Sequence, residues 1–386
     1  MAIVIRAGVL YDGTLDPPKR NVDVVIEGTT IAEIRAAAEG GSPDYAAACV
    51  TPGLVNAHVH LEMNGEPDIT VALATTTQNQ RLLRAVELAA KTLRAGITTV
   101  RSVGASHAID ADVRDAIDAG RIPGPRMRAA GAVLCMTGGH GWFIGRAVDS
   151  PWDARKAVRE QMKAGADCIK LIATGGVLTK GAVPGNAQLT PDELEAAIDE
   201  AHRHGLRVAA HAIGTQGIKN ALRAGIDSIE HGHMLDDEAI SLFKQKRAYL
   251  VPTLTAPTCI LAHLEDGAQP QYVIDKAKTV NEAMLRNIKR AYDAGVRIAG
   301  GSDAGTPYNY HDNYAYEVEL MHAMLGMSAQ EALHAATAVA AELVGLQRSV
   351  LAPGEAADLL LLARDVGEDV RALREVERVF KAGACV

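Results

Sequence analysis

Eight short apolar stretches lie between residues 53 and 301, most of them separated by a longer amphipathic stretch. The eight are Gly53–His60, Thr98–Val103, Arg126–Leu134, Cys168–Ala173, Arg207–Ala212, Ser228–Gly232, Leu250–Leu254 and Arg297–Gly301. Their length and β-rich content fit buried strands. Helical periodicity runs through Gln80–Ala95, Pro151–Ala164, Thr190–His204 and Asp275–Ala294. Thr190-Pro191-Asp192-Glu193 is a helix start, with an N-cap, a first-turn proline and early acids. Ala95-Gly96, Ala164-Gly165, His204-Gly205, Ala224-Gly225 and Ala294-Gly295 are helix stops, each followed within a few residues by a strand. Strands separated by helices imply a parallel sheet, and eight such units close into a (β/α)8 barrel. An open doubly wound sheet is the second choice, but neither GxGxxG nor GxxxxGK[ST] is present to support it.

The two ends have a different texture. Ala2–Val9, Val22–Glu27 and Thr30–Ile34 at one end, and Leu359–Leu362 and Val376–Phe380 at the other, are strand-like. Neither end holds enough strands to bury a core alone. They are expected to combine into one small β-sandwich, giving an α/β chain with residues 1–52 and 346–386 in a composite β-domain and 53–345 in the barrel.

Composition narrows the partners. A formal net charge of −8 argues against general binding to nucleic acid or anionic membranes. No stretch of about 20 uncharged apolar residues is present. The five cysteines, Cys49, Cys135, Cys168, Cys259 and Cys385, are far apart and odd in number, which points to a reducing compartment. With no signal-peptide pattern at the N-terminus, the expectation is a cytoplasmic protein acting on a small molecule.

His-x-His occurs three times: His58/His60, His202/His204 and His231/His233. In a barrel, reactive groups sit at the C-terminal ends of strands. His58 and His60 end strand one, and alternation points both into the barrel mouth. His202 and His204 lie on a helix, about 200° apart around its axis, and cannot share an ion. His231 ends strand six and points inward; His233 lies in the loop beyond, either supporting the site or exposed. His211 ends strand five, Asp303 follows strand eight, and Lys170 lies within strand four. A lysine in an apolar strand is costly unless paired or chemically altered. It is either a core lysine bound to a carboxylate or a modified, anionic ligand. Neutral imidazoles and carboxylates suit Zn²⁺ and related ions.

These residues resemble the amidohydrolase superfamily. The matched pieces are HVH, Lys170, His211, His231 and Asp303, with PGLVNAHVH entering the barrel and LAPGEAADLLLL leaving it. AGITTVRSVG, LCMTGGHGW, AGADCIKLIATGGV, SIEHG and GSDAGTP are most similar to the imidazolonepropionase-related group, which includes prolidase-like dipeptidases, basic-residue carboxypeptidases and ochratoxinase-type amidases. The resemblance implies two divalent ions, zinc first among them. His58 and His60 would bind the more buried ion and His211 and His231 the more exposed one. Lys170, carboxylated by CO2, would bridge both, and Asp303 would complete the buried site and shuttle protons. Dihydroorotase-like members carry an arginine two positions after the second histidine; here Glu62 stands there, either facing a cationic substrate group or solvated. Some dipeptidase relatives carry a tyrosine two positions after the strand-five histidine; here it is Ile213.

A water activated between two metals suits hydrolysis of an amide or ester. Asp303 is the expected general base and acid. His140, on the glycine-rich loop after strand three, is the candidate donor to the oxyanion. Gly175, Gly176 and Val177 are expected to offer backbone donors, and Tyr308, His311 and Asn313 to line the pocket mouth with Tyr310. Trp142 and Phe143 either stack on a substrate or pack. The favoured substrate is a dipeptide such as Xaa-Pro, or an N-acyl amino acid. Alternatives are a cyclic amide, a lactone or a phosphotriester, and, in another class, a scaffold without activity. A homo-oligomer is expected.

Overall fold

The computed structural model describes residues 2–345 and 348–386. Strands β1 (Ala2–Leu10), β2 (Lys19–Glu27), β3 (Thr30–Ala36) and β4 (Tyr45–Pro52) precede the barrel. The barrel strands are β5 (Leu54–Val59), β6 (Ile97–Ser102), β7 (Arg126–Ala129), β8 (Val133–Cys135), β10 (Cys168–Ile172), β11 (Arg207–Ala212), β12 (Ser228–His231), β13 (Tyr249–Val251) and β14 (Arg297–Ile298), with β9 (Gly145–Ala147) a short strand beside β8. Then come β15 (Leu359–Leu362), β16 (Val376–Lys381) and β17 (Ala384–Cys385).

The strands from both termini form one sheet in the order β17-β16-β15-β4-β1-β2-β3. Val24 and Ile26 of β2 share an apolar cluster with Leu359, Leu361 and Phe380 from the other end of that sheet. The sheet must therefore curl over its own core, which fits the sandwich. Bulges at Val25/Ile26 and Leu361/Leu362 supply the bend. The run Leu359-Leu360-Leu361-Leu362 has no polar alternation because both its faces are buried. Leu359 and Leu361 face the terminal core, whereas Leu360 and Leu362 join the barrel's apolar cluster. That strand therefore welds the β-domain to the barrel.

The barrel is closed. Strands β5-β6-β7 and β8-β10-β11-β12-β13-β14 form its two arcs. Ala57 N donates to Gly300 O at 3.0 Å, Asp303 N to His58 O at 2.9 Å and His60 N to Ala304 O at 2.9 Å, joining strand eight to strand one. The expected strand Arg126–Leu134 is two pieces. β7 pairs with β6 and β8 with β10, and the chain breaks between them where Gly131 has φ +66°. Strands seven and eight end earlier than expected, at Val251 and Ile298, and the backbone beyond them turns left-handed at two non-glycine residues. Thr253 has φ 48° and Asp303 φ 61°.

Helices α1 (Ile69–Thr75) and α2 (Gln78–Arg94) follow β5, and α3 (Ile109–Asp118) follows β6. Next are α4 (Pro151–Lys163), α5 (Pro191–Arg203), α6 (Thr215–Ala224), α7 (Asp237–Lys246), α8 (Thr255–Ala262), α9 (Gln271–Asp293) and α10 (Tyr314–Leu325). Thr190 and Glu193 form a reciprocal capping box at the start of α5. No described helix is long and apolar enough to cross a membrane. The expected boundary at 345/346 adjoins residues 346 and 347, which lie outside the described residues.

Candidate metal centre and active site

Alternation carries His58 and His60 of strand one to the same side of β5, and both rings are buried. His58 Nδ1 lies 2.8 Å from Glu230 Oε2, and His60 Nδ1 lies 2.9 Å from the carbonyl of Gly104. A carboxylate or carbonyl can only accept, so both Nδ1 atoms carry protons and both Nε2 atoms are left with their lone pairs in the neutral rings. Those Nε2 atoms stand 3.2 and 3.3 Å from the same oxygen, Asp303 Oδ1. His211 Nε2 lies 3.0 Å from Gly175 O, which leaves its Nδ1 uncommitted. His231 Nδ1 lies 2.7 Å from Thr253 Oγ1, leaving its Nε2. The His231 ring is centred 5.3 Å from that of His58 and 4.5 Å from that of His211.

Two of these residues occupy strained backbone. His231 has φ 72° and Asp303 φ 61°, a region that costs a non-glycine residue about 1–3 kcal/mol. At His231 the twist breaks strand alternation. Glu230 stays in the barrel interior while the next side chain also reaches the mouth.

Burial drives the histidines towards the neutral form a metal requires. His211 and His231 are held well below the ordinary histidine range. Burial opposes the charge on Asp303 too; protonated His58 and His60 would hold its carboxyl well below the usual range, and with those rings neutral a bound cation would have to take that part. Lys170 is 2 % exposed, and burial pushes its amine down to about 8. It takes part in none of the ion pairs of the site, whose partners are His58, His60, Arg101, Glu230 and Asp303. The core-lysine-with-carboxylate alternative therefore lacks a close partner among the described residues, although Glu230 and Asp303 act on the amine from farther away. Lone pairs and a carboxylate converging in a dry site repel one another unless a cation or protons lie among them. The donor set thus fits bound metal, and ligand atoms of His58, His231 and Asp303 all fall within 4.8 Å of one another.

Glu230 and Arg101 are functional residues that sequence reasoning missed. Arg101 Nη2 donates to Glu230 Oε1 at 2.9 Å, its Nε to Ala57 O at 2.7 Å and its Nη1 to Ser228 Oγ at 3.1 Å. Ser228 Oγ donates to Glu230 Oε1 at 2.6 Å. Burial alone would neutralise Glu230, but Arg101 and His58 hold it at about 2. The network fixes the His58 ring and its tautomer. The signal was present: an arginine in ITTVRS and an acid in SIEH are two opposite charges in apolar strands, which need one another.

His140 stands on the loop beyond β8, with its ring 4.4 Å from His211, and burial pushes it down to about 3. The cavity above the cluster encloses about 750 Å³ counted to its open mouth. Its walls include Phe143, Ile144, Val177, Leu178, Ile213 and Ile260. Val177 thus lines the cavity as an apolar wall residue.

Other pocket expectations need correction. The Gly175 N–H is spent on Asn186 O at 2.9 Å and its carbonyl faces His211, so it offers no donor. Gly176 does not line the cavity; its bare Cα makes room for the His140 ring. Tyr308 stacks on His263 with ring centres 4.0 Å apart. His311 is buried against Met63 O at 2.9 Å. Asn313 borders a separate cavity with Arg94 and Arg374, and Tyr310 is exposed. The cause is a tight turn after Asp303. Asn309 Nδ2 bonds Ser302 O and Asp303 O at 2.6 and 2.9 Å, and the chain beyond it turns away. Among the described residues of that loop, only Thr306 faces the cavity.

Glu62 is neither solvated nor in the cavity. It is fully buried and accepts from Ser106 N and Oγ at 2.7 and 2.6 Å. His233 is buried with its Nε2 3.2 Å from Pro252 O, and it lines the cavity. His202 pairs outward with Asp227 at 2.8 Å, remote from the cluster. Trp142 is exposed, whereas Phe143 joins the wall.

The amidohydrolase family profile matches residues 49–386. The chain belongs to the amidohydrolase family. This amidohydrolase is 31% identical to ochratoxinase of Aspergillus niger over 424 aligned positions, covering 98% of this chain and 85% of that protein. It superposes on the crystal structure of a Xaa-Pro dipeptidase with bound methionine at a TM-score of 0.92, with 33% identity and 100% of both chains covered. A prolidase complexed with N-methylphosphonate-L-proline gives a TM-score of 0.90 at 29% identity, covering 100% of this chain and 99% of that one. The amidohydrolase is accordingly a metal-dependent hydrolase of C–N bonds that acts on small molecules.

Proposed function

We propose that this amidohydrolase cleaves a peptide-like amide with two divalent ions, zinc first among them, held by the six residues that converge at the barrel mouth. His58, His60 and Asp303 would hold the more buried ion and His211 and His231 the more exposed one. Lys170, carboxylated by CO2, would bridge them. The observation that carries this reading is the convergence of four uncommitted imidazole nitrogens and Asp303 near a buried lysine outside the site's ion pairs. Bound there, such ions acidify water and polarise a carbonyl. Asp303 takes the proton of the attacking water and hands it to the leaving nitrogen. His140 donates to the carbonyl oxygen as charge gathers on it.

For the substrate, a dipeptide such as Xaa-Pro and an N-acyl amino acid are the two classes that the sequence suggested, and the names Xaa-Pro dipeptidase and prolidase support the first. The walls favour the N-acyl form. Asp303 is the one carboxylate that faces the cavity among the described residues, and it belongs to the proposed metal-ligand set, so a free ammonium finds no partner. The apolar walls equally suit a second reading, a cyclic amide, lactone or phosphotriester. The cytoplasm and a homo-oligomeric state belong to the same proposal, and five unpaired cysteines support the first.

The test measures metal per chain in wild type and Lys170→Ala, with hydrolysis of N-acyl amino acids, dipeptides and lactones on the same samples. About two metals in wild type, lost with activity in the variant, is the expected result. One metal that survives the substitution would overturn the bridged site.

A further inference from the structure

The Thr179 hydroxyl is 2.8 Å from His140 Nδ1 and accepts from Gly141 N at 3.2 Å. Thr179 is 2 % exposed and does not line the cavity. An N–H can only donate, so Gly141 takes one hydroxyl lone pair. The hydroxyl hydrogen then needs an acceptor, and among the described residues His140 Nδ1 is the one in reach. Were Nδ1 protonated, a buried O–H would be left without a partner, which folded proteins avoid.

We propose that Thr179 is a positioning residue that fixes His140 as the tautomer protonated on Nε2 and aims that N–H at the cavity. Nε2 then serves as a neutral donor to the oxygen of the scissile carbonyl, and no proton is transferred. Three further contacts hold the arrangement. His140 N donates to Gln188 Oε1 at 2.9 Å. Lys276 of α9 donates to Thr179 O at 2.7 Å. Tyr272 of the same helix donates to Leu178 O at 3.2 Å. The loop that carries Thr179 is thus pinned from α9. A Cβ at Gly176 would overlap the His140 ring, so the glycine keeps the ring's place open.

The catalytic half of this inference rests on the amide-hydrolase reading above; the tautomer does not. Zinc-loaded protein labelled with ¹⁵N-histidine would be examined by long-range proton–nitrogen correlation, with His140→Gln assigning the signal. The proton is expected on Nε2 in wild type and redistributed in Thr179→Val. In parallel, Thr179→Val is expected to lower kcat on an N-acyl amino acid about 10- to 100-fold with KM changed less than about 3-fold. Thr179→Ser, which keeps the hydroxyl, is expected to stay within about 3-fold of wild type, and metal content to be unchanged in both. A wild-type His140 protonated on Nδ1, an unchanged kcat in Thr179→Val, or equal losses in the serine and valine variants would each overturn the proposal. A wild type inert on amides but with the Nε2 proton in place would sink the substrate reading while upholding the tautomer.

Discussion

His58 and Glu230 face one another across the barrel at 2.8 Å, both wholly buried, the imidazole Nδ1–H donating to Oε2 of the carboxylate. The partner that orients a ligand histidine is therefore not another strand-end group but a carboxylate one layer deeper, itself held by Arg101. Glu230→Gln keeps the size of the side chain and removes its charge. Metal affinity is expected to fall about 10- to 100-fold. Stability is expected to fall by about 3–5 kcal/mol, because Arg101 is left buried without a counter-charge. Competitive chelator titration and denaturant unfolding read the two effects separately. Unchanged metal affinity would show that His58 needs no such partner.

Lys170 offers a test that leaves every side chain in place. Carboxylation consumes CO2 and a neutral amine, and burial, opposed by the more distant Glu230 and Asp303, pushes the Lys170 amine down to about 8, so part of it is neutral near neutral pH. Metal-free protein is expected to regain activity with zinc only when bicarbonate is supplied. Reconstitution in CO2-free buffer should stall at a small fraction of full activity. Equal recovery in both buffers would mean that the lysine binds no carboxyl group.

The six candidate ligands could be read because barrel topology ties chemistry to strand ends, and each of them lies within a barrel strand or in the few residues that follow one. The terminal domain was legible because two strand-poor ends cannot fold alone. What the sequence hid has local causes. Strand three looked continuous because the isolated Gly131, which permits the positive φ where the strand breaks, reads as part of the apolar run. Tyr308, His311 and Asn313 read as pocket residues because they follow Asp303. Their direction is set by the side chain of Asn309, a contact that spacing does not encode. Glu62 read as solvated although Ser106, 44 positions away, buries it. Arg101 and Glu230 yield to the reasoning used for Lys170, applied to charges of both signs.

Glu200 of α5 supplies a pH test far from the metal ligands. Its side chain is 3 % exposed, with Arg159 Nε and Nη2 at 2.7 and 3.1 Å and Arg155 Nη1 at 3.3 Å. Arg159 foremost, opposed by the cost of burial, lowers the carboxyl from 4.5 to about 2. A depressed carboxyl stabilises the fold above its unfolded value and loses that contribution as pH falls towards the folded one. Glu200→Gln is therefore expected to cost about 1–2 kcal/mol at pH 6, allowing for the exposure of Arg159. The gap from wild type should narrow as pH falls from about 4.5 towards 2. Denaturant unfolding at pH 6, 4 and 3 checks it, and a gap independent of pH would place the loss in packing rather than charge.

Gly176 gives a steric test of the same loop. Gly176→Ala is expected to displace the His140 ring and lower kcat about 10-fold or more, with metal content intact. Because an added Cβ would meet the His140 ring first, lost metal in this variant would show that the loop supports the whole centre.

The charge of the cavity decides between the two peptide-like substrates. A free dipeptide brings an ammonium beside its scissile bond, and the walls offer apolar side chains, Thr306, His140 and His233, with no carboxylate except Asp303. Burying an unpaired ammonium costs several kcal/mol, so N-acyl amino acids should exceed the matched free dipeptides in kcat/KM by at least about 10-fold. Ile213 lines that wall and is 3 % exposed. Ile213→Asp would supply the missing counter-charge, and it should narrow or reverse the preference without changing metal content. Paired assays of N-acetyl and free forms of one dipeptide, on wild type and variant, measure both. A wild type that prefers the free amine would mean that the ammonium is held outside this cavity, and the N-acyl assignment would fall.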